Sequence, residues 1–559
     1  MKLRKMVTMG LAGVMAISMA GCGSKASDTS SNGAAASSNA VVATSGQAQA
    51  DANAQAAGVM TANTDPANTE VTDKNITIGL ASEPSAIWGA GNGTTENEEQ
   101  IVSGAILDTL VAKDQKTGDI IPELATEWNW TDGTHLQFTL RDGVTMTDGS
   151  PLTADDVVYS VNVWKTASAT SDTGRFLVGA TKDADNKVTI EYNIAAPAML
   201  EMMTMTNFGI VSEDEVNAAG GLEAACKNPV MGCGKYKFKS WNQGQNIVLE
   251  RNDNYWNKDY KGYYKTITFT FTNDAAAREM AVESGDAQVA YDMPVSQAAT
   301  FKDNDAVQTC VYTFGQVAHL WYNMTDSHPT KELALRQAID KALDFDAIAQ
   351  VGTAGFGKPA LGYFEDDSPY YNQTYTAEER AVDVDGAKKI LEDAGIATDG
   401  SVELTAIGLQ DVNPIYTVMQ ENLSKIGITL KINITDTPTF VQDAFGGNYD
   451  LIMVGEYTAE RYPTLLCFMQ QATIDSGFVI GGPKTTTPEI DSAITQLIQE
   501  TDTAKAKEEA GALEKTMKDQ CIVSNLYPEM KASILAKNLK GYTTRERGFL
   551  DATNFYEAE

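Results

Sequence analysis

The stretch from Leu124 to Trp164, LATEWNWTDGTHLQFTLRDGVTMTDGSPLTADDVVYSVNVW, carries the densest local folding instructions in the chain. Gln137–Arg141 alternates apolar and polar side chains, as a half-buried strand does. Asp142-Gly143 follows, a dipeptide suited to the positive φ angles of a two-residue hairpin turn, so Val144–Thr147 is expected as the partner strand. Asp148, Gly149, Ser150 and Pro151 then break the pairing. Thr153 caps a helix, with Asp156 three positions on near the positive end of its dipole. Val157, Val158, Val161 and Trp164 share one face of that helix.

At 559 residues the chain exceeds what one core absorbs, so two or three lobes are expected. Aspartate and glutamate number 75 against 42 lysines and arginines, a formal net charge of −33. The basic footprint that gives nucleic-acid binders their affinity is missing, so no nucleic acid is expected as a partner. The excess reads as the solvated surface of a secreted protein. Lys2, Arg4 and Lys5 precede an apolar run, Met6 to Met19, that is too short to span a membrane. Residues 18–22 read SMAGC, small residues ahead of a cysteine, which resembles the bacterial lipobox although Met19 stands where leucine is usual. Residues 1–21 are therefore expected to be a lipoprotein signal peptide, with Cys22 the lipidated start of the mature protein. An ordinary signal peptide with an incidental cysteine is the alternative. Residues 22–74 are poor in apolar side chains and read as a flexible linker. The expected location is the outer face of the cell membrane, on a lipid anchor, in a Gram-positive-like envelope.

Five further cysteines, Cys226, Cys233, Cys310, Cys467 and Cys521, are an odd number and make no complete disulfide framework. A Cys226–Cys233 staple and buried free thiols both remain open. Strands are expected at Ile76–Leu80, Val188–Tyr192, Tyr236–Trp241, Ile247–Arg251, Ile267–Phe271, His319–Asn323, Ile428–Ile434 and Tyr449–Gly455. Helices are expected at Glu98–Leu110, Ala275–Ser284 with Gly285 as its C-cap, Glu332–Leu343, Ala387–Ala394 stopped by Gly395, and Pro414–Ile426 stopped by Gly427. Two more follow at Glu489–Glu500 and Ala504–Lys518, and the chain from Val523 to Tyr556 returns to strand and turn. Strands and helices alternate in both halves, so the class is α/β with mixed sheets.

Catalytic signals fail on their own mechanics. Residues 352–358, GTAGFGK, approach a phosphate-binding loop, but Pro359 stands where the metal-binding hydroxyl belongs and a helix precedes it. His135, His319 and His328 form no metalloprotease pair. No nucleophile elbow appears. Neither an enzyme nor a cofactor nor a metal centre is expected.

The opening stretch resembles the signature of the bacterial family 5 extracellular solute-binding proteins, the dipeptide- and oligopeptide-binding components of ABC importers. Pro122, Leu124, Ala125, Trp128, Phe138, Leu140, Arg141, Gly143, Asp148, Gly149, Pro151, Thr153, Ala154, Asp156, Val157 and Ser160 match it, while Met146 replaces the usual phenylalanine. Pro229–Trp256, the Asn323 to Asp344 block and Leu423–Ile428 match later landmarks. The resemblance implies a two-lobed periplasmic-binding-protein-like fold with a hinge, in its large subclass with an extra subdomain. It places lobe I at 75–313 with the subdomain about 112–228, lobe II at 314–525, and a return to lobe I at 526–559. It also implies a monomer that encloses its ligand and delivers it to permease subunits in the membrane.

In peptide-binding relatives an acid near the end of a lobe II strand meets the peptide's ammonium. The corresponding region here holds Gly455, Glu456, Tyr457, Glu460 and Arg461, with Glu456 in place of a tryptophan. The first-strand loop of relatives also lines the cleft, which nominates Glu83, Pro84 and Trp88. Trp321 and Asn323 complete the candidate ligand-binding set, and Arg336 is a candidate for an anionic group. Peptides are the expected ligand. An oligosaccharide or nickel chelate is the alternative on the same fold, and a surface enzyme or adhesin is the second.

Overall fold

One mixed sheet runs through both halves of the protein, and two of its strands belong to both. The computed structural model describes residues 60–61, 70–88, 97–114, 119–166, 174, 176–195, 197, 199–229, 232–301, 304–366, 368–455, 466, 469–470, 486–545 and 548–558. The strands of the large sheet are β1 (Met60–Thr61), β2 (Asn75–Leu80), β3 (Tyr236–Asn242), β4 (Asn246–Arg251), β5 (Thr266–Phe271) and β6 (Val289–Met293). They continue with β7 (Val307–Tyr322), β8 (Val402–Gly408), β9 (Ile428–Ile434), β10 (Leu451–Gly455) and β11 (Val523–Ala536). Their order is β9-β8-β10-β7-β11-β6-β2-β5-β4-β3, with β1 attached to β7.

The two long strands, β7 and β11, run antiparallel and change neighbours midway. Val307–Thr313 pairs with Met530–Ala536, the register slips, and Val317–Trp321 pairs with Val523–Pro528. Gly315, at the slip, sits at φ 76°, a left-handed conformation that costs glycine little. Beyond the slip β10 takes the other edge of β7, pairing antiparallel with Ala318–Tyr322. On the first side β6 pairs antiparallel with β11 and parallel with β2.

The capped helices form where local sequence places them. In Ala275–Ser284, Asp274 accepts from the Ala276 and Ala277 amides and Gly285 closes the far end at φ 83°. The four-residue spacing of Leu335, Ile339 and Leu343, and of Ile415, Met419 and Leu423, buries all six against Ile428 and Leu430 in one second-half core. The helix Ala154–Thr166 opens with a reciprocal cap. The Thr153 amide and hydroxyl donate to Asp156 Oδ2 at 2.8 and 2.7 Å, and the Asp156 amide returns to Thr153 Oγ1 at 3.4 Å. Val157, Val161 and Trp164 are fully buried beneath it.

The expected hairpin at Asp142-Gly143 does not form. His135–Leu140 instead turns back at Asp132, whose carboxylate accepts from the Thr134 and His135 amides, and pairs with Ala125–Trp130. Its other edge is filled by Lys187–Tyr192, which Leu177–Ala184 joins to complete a four-stranded antiparallel sheet. With both edges occupied, Val144–Thr147 is left one isolated bridge, Thr145 to Pro151. Gly143 does adopt φ 75°, but the turn redirects the chain and pairs no strands.

Two further expectations are corrected. The linker reading of 22–74 gives way at Met60–Thr61, which pairs in parallel with Cys310 and Val311. The cause is topological: β10 covers only the second half of β7, so the first half presents an open edge. The strand expected at His319–Asn323 begins twelve residues earlier, at Val307. Among the cysteines, Cys226, Cys233, Cys310 and Cys521 are free and buried, the second of the two readings left open, and Cys467 lies outside the described residues. The glycine-rich loop after the helix Phe345–Gly352 has a packing role, because a Cβ on Gly352 would stand 2.2 Å from the Tyr527 ring.

Candidate functional site: a cleft between opposed strand ends

Strand direction alone creates the cleft. β2 and β6 run toward the second half, whereas β8 and β10, parallel to each other and antiparallel to β7, run toward the first. Four carboxyl ends, at Leu80, Met293, Gly408 and Gly455, therefore face the zone where β7 and β11 cross. Ligands of open α/β sheets bind outside the carboxyl ends of strands, where loops are free to carry polar groups.

On the first side, Asp292 is the central group. Its backbone has φ 55°, at a break where Ala290 pairs with Ile534 and then Met293 with Ala532. Its carboxylate meets Lys531 Nζ of β11 at 2.9 Å, with both side chains largely buried. Burial works against the Lys531 charge, but Asp292 and Glu529 more than restore it and hold its pKa above the ordinary value. Arg278 meets carbonyls through two of its nitrogens: Nη2 donates to Asp292 O at 2.9 Å and Nη1 to Thr272 O at 2.5 Å and Asn273 O at 3.1 Å, while its buried Nε has no partner among the described residues. Glu98, in the first turn of the helix Asn97–Ile106, accepts from the Ser82 amide at 3.2 Å, and burial raises its carboxyl.

On the second side a small, half-open pocket faces the crossover, lined by Ala318, Leu409, Asp411, Val412, Phe440, Met453, Val454 and Glu529. Six of these residues are apolar and two are acids. Burial pushes both carboxyls above the ordinary range, with Lys531 opposing the shift in each case. Among the described residues neither acid forms a salt bridge.

The residues nominated from the sequence are dispersed. Glu83 points back into the first half: Oε1 accepts from Trp241 Nε1 at 2.6 Å and the Gly244 amide at 2.9 Å, clamping the β3–β4 turn. Pro84 and Trp88 are buried, and Trp88 Nε1 has no hydrogen-bond partner among the described residues. Trp321 is fully buried edge-on to His319, which stacks on Tyr363 at 4.8 Å and is pushed down to about 3 by burial, so it is neutral. Asn323 spends its amide on Gly447 O and Tyr449 O at 3.0 and 2.9 Å. Arg336 donates to the carbonyls of Cys521, Thr330, Lys331 and Gln520, so it is a staple and not an anion receptor. Of the set, Gly455 adjoins the pocket, paired with Ala318. Glu456, Tyr457, Glu460 and Arg461, like Cys22, lie outside the described residues.

Sequence reasoning passed over Asp292, Asp411, Glu529 and Lys531. One signal was present: Glu529 and Lys531 interrupt an otherwise buried run, VSNLYPEMKASILA. Charges in the middle of a buried strand need partners or a site.

Two α/β halves crossed by shared strands, with strand ends facing a common cleft, define a two-domain binding protein of the periplasmic type. Residues 119–471 match the family described as bacterial extracellular solute-binding proteins, family 5, middle region, and the chain belongs to that family. It is 25% identical over 421 residues to the probable D,D-dipeptide-binding periplasmic protein DdpA of Escherichia coli (strain K12), covering 72% of this chain and 78% of that protein. It is 29% identical over 334 residues to Protein XP55 of Streptomyces lividans, covering 58% of this chain but only 57% of that protein's length. The fold is also that of the ABC transporter substrate-binding protein CtaP of Listeria monocytogenes, with a TM-score of 0.76 at 21% identity over 87% of this chain and all of the other.

Proposed function

We propose that this member of family 5 captures dipeptides or oligopeptides between its two halves and delivers them to the permease of an ABC importer. The observation that carries the reading is the cleft itself, walled by opposed strand ends and by four carboxylates, Glu98, Asp292, Asp411 and Glu529. Against these stand Lys531, held by Asp292, and Arg278, whose Nη1 and Nη2 donate to carbonyls. Such a surface suits the ammonium of a peptide. The dipeptide named for DdpA supports the same ligand class. The slip at Gly315 in β7 and the facing Pro528–Met530 segment of β11 are the natural hinge, because all other strands end on one side of it. Lobe I then comprises 75–313 and the returning chain, and lobe II 314–525. We further propose that Cys22 carries a lipid anchor, which holds the protein at the outer membrane face as a monomer.

Mass spectrometry of small molecules released by denaturing gently purified protein tests the ligand. Peptides of two or more residues are expected, and recovery of sugars or a metal chelate without peptides overturns the reading. Changing Cys22→Ala is expected to release the protein into the medium. Unchanged retention in the membrane fraction removes the anchor.

A further inference from the structure

We propose that the pocket between β10, the loop after β8 and Glu529 is a subsite for a cationic group on a short apolar stem, such as a lysine side chain. This rests on the reading of the cleft as a peptide site and names the side chain it prefers. The walls decide the stem. Leu409, Val412, Phe440, Met453 and Val454 offer methylene-compatible surface, and long cationic side chains bury their stems along such surface while keeping the charge at a polar end. The polar end is supplied by Asp411 and Glu529, which come from opposite directions, one from the loop beyond β8 and one from the crossing strand β11.

The surrounding charges decide the sign. Lys531, the neighbouring cation, lies two residues from Glu529 on the same face of β11 and is committed to Asp292 at 2.9 Å. Neither pocket acid has a salt-bridge partner among the described residues, and Glu529 makes no side-chain hydrogen bond there. Two partly buried carboxylates facing one apolar space repel each other, and an entering cation relieves that repulsion. A bare divalent ion fits poorly. It needs six or more oxygen ligands, and among the described residues the pocket's side-chain oxygens are those of the two acids. No metal-binding group of three or more acids, histidines or cysteines occurs among the described residues. A neutral apolar side chain fills the walls but leaves both acids desolvated without compensation.

The same chemistry occurs in a lysyl peptide and in a free diamine, so the test has three arms on the full mature chain. Calorimetry is run with tetra-alanine carrying lysine at each position in turn, with the norleucine counterparts, and with 1,5-diaminopentane. The expected result is a lysine position that binds about ten-fold tighter than norleucine, the size of one charge-assisted hydrogen bond. That ratio is expected to fall to near unity in both Asp411→Asn and Glu529→Gln. Two independent near-isosteric variants, each checked by circular dichroism, guard against loss of fold. Equal binding of lysine and norleucine at every position overturns the subsite and leaves the peptide reading standing. Binding of the diamine without any tetrapeptide keeps the subsite and overturns the peptide reading. Failure of every probe overturns both.

Discussion

Asp108 and Asp551 sit in one buried network of the first half and titrate in opposite senses. Trp256 Nε1 donates to Asp108 Oδ2 at 2.6 Å, yet burial, and then the neighbouring Glu123 carboxylate, push Asp108 up to about 7. Its folded pKa is raised, so the folded state holds the proton more tightly than the unfolded chain. The stability this brings is fully present below about pH 4 and is lost as pH rises toward 7. Burial also opposes ionisation of Asp551, but Arg545, Lys235 and Thr553 outweigh it and hold that carboxyl well below its usual range. Its contribution is present above the unfolded pKa and is lost as pH falls. In urea titrations the wild-type midpoint is expected to decline between pH 5 and pH 8, and Asp108→Asn to flatten that decline. A flat wild-type profile refutes the assignment. Asp551→Asn is expected to cost about 3–5 kcal/mol at pH 7, since it strands Arg545 at 3.3 Å and Lys235 at 3.6 Å in buried surroundings. A loss under about 1 kcal/mol shows that those charges find water instead.

At the scale of elements, what was legible in the sequence was local. The helix caps at Thr153 and Gly285 depend on contacts within a few residues, and each stands where its residues place it. Thr153→Ala should therefore cost about 1 kcal/mol of stability, and a change of less than about 0.3 kcal/mol by chemical denaturation contradicts the cap's role. The hairpin at Asp142-Gly143 was misread because pairing depends on which edges are free. The edges of His135–Leu140 are taken by segments before the turn and almost fifty residues after it. The first half of β7 was missed for a related reason: its residues, Val307 to Thr313, pair with β11, Cys310 and Val311 also with β1, and they lack the clean alternation of a one-faced strand. The pocket was illegible because Asp411 and Glu529 lie more than a hundred residues apart and meet only through the direction of β8 and β11. Of the region nominated at the end of β10, Gly455 is described and pairs with Ala318 of the pocket, while Glu456 and Glu460 lie outside the described residues.

For the whole molecule, charge and topology act on the same step. The chain carries a formal net charge of −33, and its cleft concentrates carboxylates between low-dielectric walls, which focuses the field there. A cationic peptide approaching from solution is drawn toward the cleft before any contact is made, so its association rate should exceed that of an uncharged analogue. Salt shortens the reach of this field, from about 30 Å at 0.01 M to about 3 Å at 1 M. On the proposed reading an enclosed peptide meets the acids at contact distance, where salt screens them far less. Rates and affinities therefore separate. In stopped-flow mixing with a lysyl tetrapeptide, the association rate is expected to fall about ten-fold from low to high salt, while dissociation changes by about two-fold or less. An N-acetylated norleucine analogue, which lacks both cations, is expected to show neither trend. If the two peptides associate with the same salt dependence, the cleft's field does not steer its ligand, and the acid excess is surface solvation alone.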